Sequence, residues 1–363
     1  METGFPWHNP GMLSERIERF VRGAAGDDPA AVATTDTFDT LVSEAFALHY
    51  EQSEPMRRLA DEAGLEPGAP IGWRQLPMVP TVAFKSVRLA IAEAREIFHS
   101  SGTTEQAPSI HYHPYPELYR AVIEATFPQA LLAACERPEM LSLIPTRAEA
   151  PHSSLAFMIE HVIERWGGSA SRTVVGAHGI KAAELRGFLA ARQRDGRPTL
   201  LLATTIALAQ LVDSLDRLQL NFRLPAGSLV FETGGDKGRH RELTRDQLVA
   251  ALGQRLGLPP TAFVREYGMT ELTSHFYQAG PASEIFVAPA WVRFRVLDVE
   301  TLSEVEDGTP GLLAVFDLAN VGSALHLLTE DLAVAEQGGF RLVGRAAGAE
   351  LRGCSLLSEE LGG

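Results

Sequence analysis

The sequence predicts an α/β protein with mostly parallel sheets and flanking helices, plus a smaller antiparallel β section near the C-terminus. Three observations carry this expectation. From about Leu89 short apolar runs alternate with amphipathic, helix-spaced segments, the pattern of successive βαβ units and a doubly wound sheet. After about Ser283 the helical spacing stops, and strand-like runs joined by polar turns replace it. The chain has 363 residues, 45% hydrophobic and 21% charged, enough apolar surface for one large or two ordinary domains.

In chain order, Leu13, Ile17, Phe20 and Val21 recur at helical spacing, as do Phe38, Leu41, Ala45 and Phe46, with Asp36 the expected cap of the second helix. The Pro- and Gly-rich stretch Glu66–Pro80 reads as a loop. Strands are expected at Ile97–His99, Leu141–Ile144, Thr173–Gly176, Thr199–Ala203, Ser228–Phe231 and Ala262–Arg265. Helices are expected at Tyr115–Phe127, Ser153–Trp166, Ile180–Arg194, Ile206–Leu218 and Arg245–Leu256. The terminal β section is read from Ile285–Ala288, Trp291–Leu297, Leu312–Leu318 and Phe340–Val343, with turns at Asp307-Gly308 and Gly338-Gly339. The expected division is a mainly helical segment over 1–80 packed on the core, an α/β core over 81–282, and a β-rich subdomain with a short tail over 283–363.

The formal charge is −14, from 32 basic and 46 acidic residues. Such an acidic chain repels phosphate backbones and anionic lipid, which argues against nucleic acid as a partner. No stretch is long and apolar enough to predict membrane insertion; Leu200–Leu211, the most apolar run, is too short. No basic region followed by an apolar run opens the chain, and Cys135 and Cys354 are too few for a disulfide framework, so a reducing, cytoplasmic location is expected. Lysine occurs only at Lys85, Lys181 and Lys237, so any step that needs a lysine has three to draw on.

Four segments carry possible chemistry. Ser100-Ser101-Gly102-Thr103-Thr104 follows an expected strand and is expected to precede a helix; small hydroxylated residues around a glycine suit phosphate oxygens. It lacks the Gly-Lys-Ser/Thr of a Walker loop, and alone it equally fits a capped polar turn. Phe231 to Arg239 places Thr233-Gly234-Gly235 after a strand, with Lys237 and Arg239 adding charge; paired glycines allow close approach to a flat ligand, or simply a tight loop. Tyr267-Gly268-Met269-Thr270-Glu271 offers a ring for stacking, a hydroxyl for a phosphate and a carboxylate for Mg²⁺, or a capped strand end. Thr329-Glu330-Asp331, Gly344-Arg345 and Arg352-Gly353-Cys354-Ser355 come last. There Asp331 fits a pair of ribose hydroxyls or a surface turn. His111-x-His113 reads as structural, since no third ligand accompanies the pair.

The order of these segments resembles that of the adenylate-forming superfamily of acyl and aryl acid ligases. Within it, Thr233–Gly235 with Lys237-Gly238-Arg239, His152-Ser153-Ser154-Leu155, Tyr267–Glu271 and the ending Arg352–Ser355 resemble the LuxE-type acyl-protein synthetases. The resemblance covers roughly residues 80–358. It implies the large N-terminal-type domain of adenylate-forming enzymes, with 81–282 as the ATP- and acyl-binding core and Cys354 on the tail. It further implies that Ser100, Ser101, Gly102, Thr103 and Thr104 hold the ATP phosphates, and that Thr233, Gly234 and Gly235 line the adenine side. Tyr267 would stack on adenine, Thr270 contact the α-phosphate, Glu271 bind Mg²⁺, and Asp331 with Arg345 hold the ribose. The loop carries Glu105 where the family pattern continues with glycine. The larger ligases use a lysine on a C-terminal domain that LuxE-type chains lack; Lys237, and after it Lys181, is the expected source of that charge.

The implied reaction is ATP-dependent activation of a carboxylic acid, a fatty acid in this family, to acyl-AMP. Transfer follows to Cys354 as a thioester, the thiolate being the nucleophile, and then to an acceptor protein such as a reductase or carrier protein. Direct loading of an acyl or aryl acid onto coenzyme A or a carrier's phosphopantetheine arm is the alternative. A non-catalytic nucleotide or acyl binder is the third reading. His152, His178 and His275 fall near the expected pocket in motif order, and Cys135 reads as a core residue.

Overall fold

The structure is a computed structural model that describes residues 10–26, 36–100, 107–234, 244–280 and 283–346. Three helices open the chain: α1 (Pro10–Ala24), α2 (Phe38–Gln52) and α3 (Glu54–Glu62). The short β1 (Val79–Pro80) and the strands β2 (Glu96–His99) and β3 (Ile110–His113) come next, then α4 (Pro116–Leu131), β4 (Glu139–Ser142), α5 (Ser154–Trp166), β5 (Arg172–Thr173), β6 (Val175–Gly176) and β7 (Gly179–Ile180). The α/β stretch continues with α6 (Ala182–Asp195), β8 (Thr199–Thr204), α7 (Thr205–Arg217), β9 (Leu229–Thr233), α8 (Arg245–Leu256), β10 (Phe263–Tyr267) and β11 (Phe276–Gln278). The described chain ends in β12 (Phe286–Val287), β13 (Val292–Leu297), β14 (Pro310–Asp317), β15 (His326–Glu336) and β16 (Gly339–Arg345). It forms two compact units, one from Met1–Ala125, Met269–His275 and Val287–Gly363, the other from Thr126–Gly268 and Phe276–Phe286.

The second unit is the doubly wound part. Parallel pairing runs β5, β4, β8, β9, β10, with β11 antiparallel to β10. The chain leaves β4 toward β5 and returns on the other side to β8, so the winding reverses beside β4. Strand residues Leu141, Leu201, Val230 and Phe263 pack with Leu185, Leu208, Leu211 and Leu252 of the helices in one core. Coverage on both faces explains the unbroken apolar run of β8. The capping box of Thr244 and Gln247 starts α8, and Gly257 in the left-handed region ends it.

The first unit holds an antiparallel meander, β13-β14-β15-β16, with β1 parallel to β15. A separate hairpin pairs β2 with β3. Four expectations are corrected here. Asp36 does not cap α2: the extended backbone of Thr37 puts its hydroxyl over the Thr40 N–H, while Asp36 pairs with Arg16. The loop after Ile97–His99 returns as a strand, β3, instead of leading into a helix. Thr173–Gly176 breaks at Val174, whose N–H bonds Ser142 and whose carbonyl accepts from Lys181, so the chain leaves the ladder for the β6–β7 hairpin. The loop read over Glu66–Pro80 contains a 3-10 turn at Trp73–Gln75 and ends in β1, with Trp73 buried. Among the described residues no helix is long and apolar enough to cross a membrane.

Candidate active site

In the first unit the segment Met269–His275 carries Thr270 and Glu271. It contains little regular secondary structure, so its shape depends on what its neighbours bond. Asp317, fully buried at the end of β14, accepts from Thr273 N (3.1 Å), Ser274 N (2.8 Å), Ser274 Oγ (2.7 Å) and Ala319 N (3.0 Å). Trp291 Nε1 donates to Ser274 Oγ at 2.9 Å. Asn320 donates to the carbonyls of Glu271 (3.0 Å) and Ala324 (2.7 Å), and its Oδ1 accepts from Thr273 Oγ1 at 2.7 Å. The turn that carries Asn320 lies close to Pro114: a Cβ on Gly322 would stand 2.6 Å from Pro114 Cδ.

From the other side, β3 and the residue before it meet the same segment. His111 Nδ1 donates to the Thr270 carbonyl at 2.7 Å. His113 Nε2 lies 3.0 Å from Thr273 Oγ1. The Thr273 proton is already committed to Asn320, so the Nε2–H of His113 is the donor. Burial drives both imidazoles neutral: His111 falls to about 4, against the opposing pull of the Thr270 carbonyl, and His113 falls well below its usual value through burial and then His111. The two rings, 5.1 Å apart, pack among Phe84, Phe98 and Tyr119, and His275 stacks on Tyr119 at 5.5 Å. His111-x-His113 is thus structural in the sense expected, and it is bonded to the segment that carries the site residues.

The Glu271 carboxyl is buried, and desolvation raises its pKa; a hydrogen bond from Ser109, its own N–H and the charge of Arg345 oppose the rise, while Glu330 adds to it. Ser109 also closes the β2–β3 hairpin. Ser100 N donates to Ser109 O at 3.0 Å, and Ser109 N donates to Ser100 Oγ at 2.9 Å. Ser100 therefore spends its hydroxyl oxygen on the stem of the serine/threonine/glycine loop. Residues Ser101, Gly102, Thr103 and Thr104 lie outside the described residues, as does Glu105.

Asp331 lies in a β-bulge. Leu312 pairs Leu332 and Ala314 pairs Leu328, so Thr329–Asp331 face Leu313 alone. Thr329 Oγ1 donates to the Leu313 carbonyl at 2.8 Å and accepts from Asp331 N at 3.1 Å. Arg345, on β16 opposite Asp331, pairs with Glu330 at 2.6 Å and Asp331 at 3.4 Å.

In the second unit, Thr233 ends β9 with Gly234 just after it, and Tyr267 ends β10, the carboxyl ends where open α/β sheets carry ligands. Gly234 takes φ of +77°, which its position after the strand requires. Thr205 Oγ1 donates to Gly234 O (2.7 Å) and lies 3.1 Å from Glu232, which also accepts from Arg245 at 3.3 Å. Thr233 donates its hydroxyl to Glu266. The Tyr267 ring is 8% exposed and packs 5.8 Å from Phe276 and 6.0 Å from Phe286. Lys181 adjoins α6; the nearby Glu149 carboxyl is lowered first by hydrogen bonds from the Thr146 N–H and hydroxyl, with the Lys181 charge adding a little. Ser153 caps α5. Gly235, Lys237 and Cys354 lie outside the described residues, and Cys135 is half-buried.

Within the first unit the fold brings together Ser100, Thr270, Glu271, Asp331 and Arg345; Thr233, Gly234 and Tyr267 belong to the second. Ser109, Asp317 and Asn320 were not singled out from sequence. The available signal was the alternation Ser109-x-His111-x-His113, which puts three polar groups on one strand face. Among the described residues no three His, Cys, Asp or Glu cluster as a metal site. Glu271 alone suits Mg²⁺, which takes one or two carboxylates with phosphate and water oxygens.

Comparison with solved structures gives the fold. An open conformation of 2-hydroxyisobutyryl-CoA ligase, in complex with 2-HIB-AMP and CoA, matches with TM-score 0.60 and 16% identity over 85% of this chain and 74% of that one. The same ligase in its thioesterification state, with the same two ligands, matches with TM-score 0.60 and 16% identity over 85% and 68%. No curated protein gives a significant sequence match. A family model for acyl-protein synthetase, LuxE, spans residues 28–361, and on that match the chain belongs to the LuxE acyl-protein synthetase family.

Proposed function

We propose that this chain activates a carboxylic acid, a fatty acid, with ATP to give acyl-AMP and pyrophosphate. The acyl group then passes to Cys354 and from there to an acceptor protein. The observation that carries the first half is the construction around Met269–His275. A buried carboxyl, Glu271, and a threonine, Thr270, lie on a segment bonded by six buried side chains, Ser109, His111, His113, Trp291, Asp317 and Asn320, in a fold shared with an acid–CoA ligase.

In this reading a substrate carboxylate oxygen attacks the α-phosphorus, the bond to the bridging oxygen breaks, and pyrophosphate leaves. The protein positions the reactants and offsets charge. Thr270 donates to an α-phosphate oxygen, and the loop from Ser100 to Thr104 wraps the outer phosphates. Thr233–Gly235 and Tyr267 bind adenine, and Asp331 accepts the ribose hydroxyls with Arg345 beside it. Glu271 holds Mg²⁺, which supplies neutralisation of phosphate charge, and Lys237 takes the role of the lysine found in larger ligases. The Cys354 thiolate then attacks the acyl carbon, an acyl–sulfur bond forms, and AMP leaves.

Incubation with labelled fatty acid and ATP, followed by mass spectrometry of the intact protein, tests the relay. A thioester adduct on the wild-type chain, absent from Cys354→Ser while pyrophosphate release continues, is the expected result. An unchanged adduct or unchanged final product in Cys354→Ser refutes the relay. One observation favours a second reading: the matched ligase was captured with CoA. If CoA is the acceptor here, product formation depends on free CoA and survives Cys354→Ser.

A further inference from the structure

Ser109, His111 and His113 alternate along one strand, so their side chains share a face. All three are buried, and each bonds the segment Met269–His275: Ser109 the Glu271 carboxylate, His111 the Thr270 carbonyl, His113 the Thr273 hydroxyl. The hairpin backbone makes none of these bonds, so sheet formation does not require them. The opposite face of the strand is different in kind. Tyr112 lies there, partly exposed, under the Arg88 guanidinium at 4.8 Å. The stem of the hairpin is the start of the serine/threonine/glycine loop, joined through the paired bonds of Ser100 and Ser109. One short strand thus ties the base of that loop to the two residues, Thr270 and Glu271, proposed for the α-phosphate and the metal.

We propose that Ser109, His111 and His113 are positioning residues, and that the strand face they share fixes the Thr270 peptide and the Glu271 carboxylate in the geometry used for acyl adenylation; this rests on the adenylation reading above. His111 acts through a neutral Nδ1–H donor, which an asparagine side chain can replace and a leucine cannot. Ser109 acts through a hydroxyl donated to the Glu271 carboxylate.

The test is acid-dependent pyrophosphate exchange by the full chain, with kcat and the KM values for ATP and acid read separately, over a Mg²⁺ titration. His111→Leu is expected to lower kcat about tenfold or more with the KM for acid changed less than about threefold, as a misplaced reacting geometry does. His111→Asn restores kcat to within about threefold of wild type, because it returns the donor. Ser109→Ala, the smallest change and the one best tolerated by folding, raises the Mg²⁺ concentration for half-maximal exchange about fivefold or more, a loss of about one charge-assisted hydrogen bond. Tyr112→Leu, on the other face, leaves the rate within about twofold. Wild-type rates and Mg²⁺ dependence in both His111→Leu and Ser109→Ala overturn the positioning role while leaving adenylation standing. So does His111→Asn as slow as His111→Leu, or a Tyr112→Leu loss as large as either. A wild-type chain that exchanges with no acid overturns the adenylation reading itself, and the positioning role with it.

Discussion

Replacing Asp317 by alanine should cost this protein a large part of its stability, and the size follows from its partners. The carboxylate is fully buried and accepts three backbone N–H groups, from Thr273, Ser274 and Ala319, together with the Ser274 hydroxyl. In Asp317→Ala the hydroxyl can turn to another acceptor, but the three N–H groups lose theirs in a site closed to water. Each buried unsatisfied donor costs about 1–3 kcal/mol. Against that sum stands relief from burying a carboxylate, whose desolvation already pushes its pKa upward. A net loss of about 4 kcal/mol is expected, in the range seen when buried polar networks are broken. Asp317→Asn keeps the shape but sets its NH₂ against at least one of these donors, for a smaller loss of about 1–2 kcal/mol. Urea titration followed by tryptophan fluorescence is the assay, since Trp291 donates to the same serine. A loss below about 1 kcal/mol for the alanine, or equal losses for alanine and asparagine, would refute the idea that Asp317 holds Thr273 and Ser274 in place.

Other consequences follow from separate parts of the molecule. Gly322→Ala sets a methyl 2.6 Å from Pro114 Cδ and 3.1 Å from Tyr115 Cδ2, so a loss of about 1–3 kcal/mol is expected in the same titration; an unchanged midpoint refutes the close approach. His49 is buried, bonds the Val321 carbonyl at 2.8 Å, and has its pKa lowered by desolvation to about 4. Its folded value lies below its unfolded one, so the stability it confers is full above about pH 6.5 and is lost as pH falls toward 4. His49→Gln, which keeps a donor for Val321, should show a shallower fall over that window; an identical slope contradicts the buried neutral imidazole. Glu271→Gln should abolish Mg²⁺-dependent exchange while leaving the unfolding free energy within about 1 kcal/mol, because neutralising a buried carboxyl offsets the loss of its hydrogen bond; exchange at the wild-type rate removes Glu271 from the metal role.

The doubly wound part was legible because its signals are local. Helix α8 was expected at the bounds it has from its apolar spacing, and the structure shows the local caps that fix those ends, Thr244 with Gln247 and Gly257. The run that became β8 read as a strand because both its faces are covered and no charge interrupts it, and β9 and β10 were read from their apolar starts, ahead of Glu232 and of Arg265-Glu266. β15 was not foreseen as a strand, although it is 11 residues long: the bulge at Thr329–Asp331 breaks the alternation a strand signal depends on. β3 carries histidines where an apolar strand face would be expected, and their burial depends on bonds to residues 159 and 160 positions away. Asp317 and Asn320 were invisible for the same reason, with partners 43 to 49 residues distant. The family was readable from motif order and resemblance; the buried groups that bond the Met269–His275 segment were not, because a hydrogen bond between distant segments leaves no periodic trace in sequence.

Acid-dependent exchange of labelled pyrophosphate into ATP, measured over a panel of fatty and aromatic acids with Mg²⁺, tests the central claim most directly. Exchange with fatty acids, absent when the acid or Mg²⁺ is withheld, is the result predicted for an acyl-adenylating member of this family. ATP binding without exchange for any acid in the panel would contradict it.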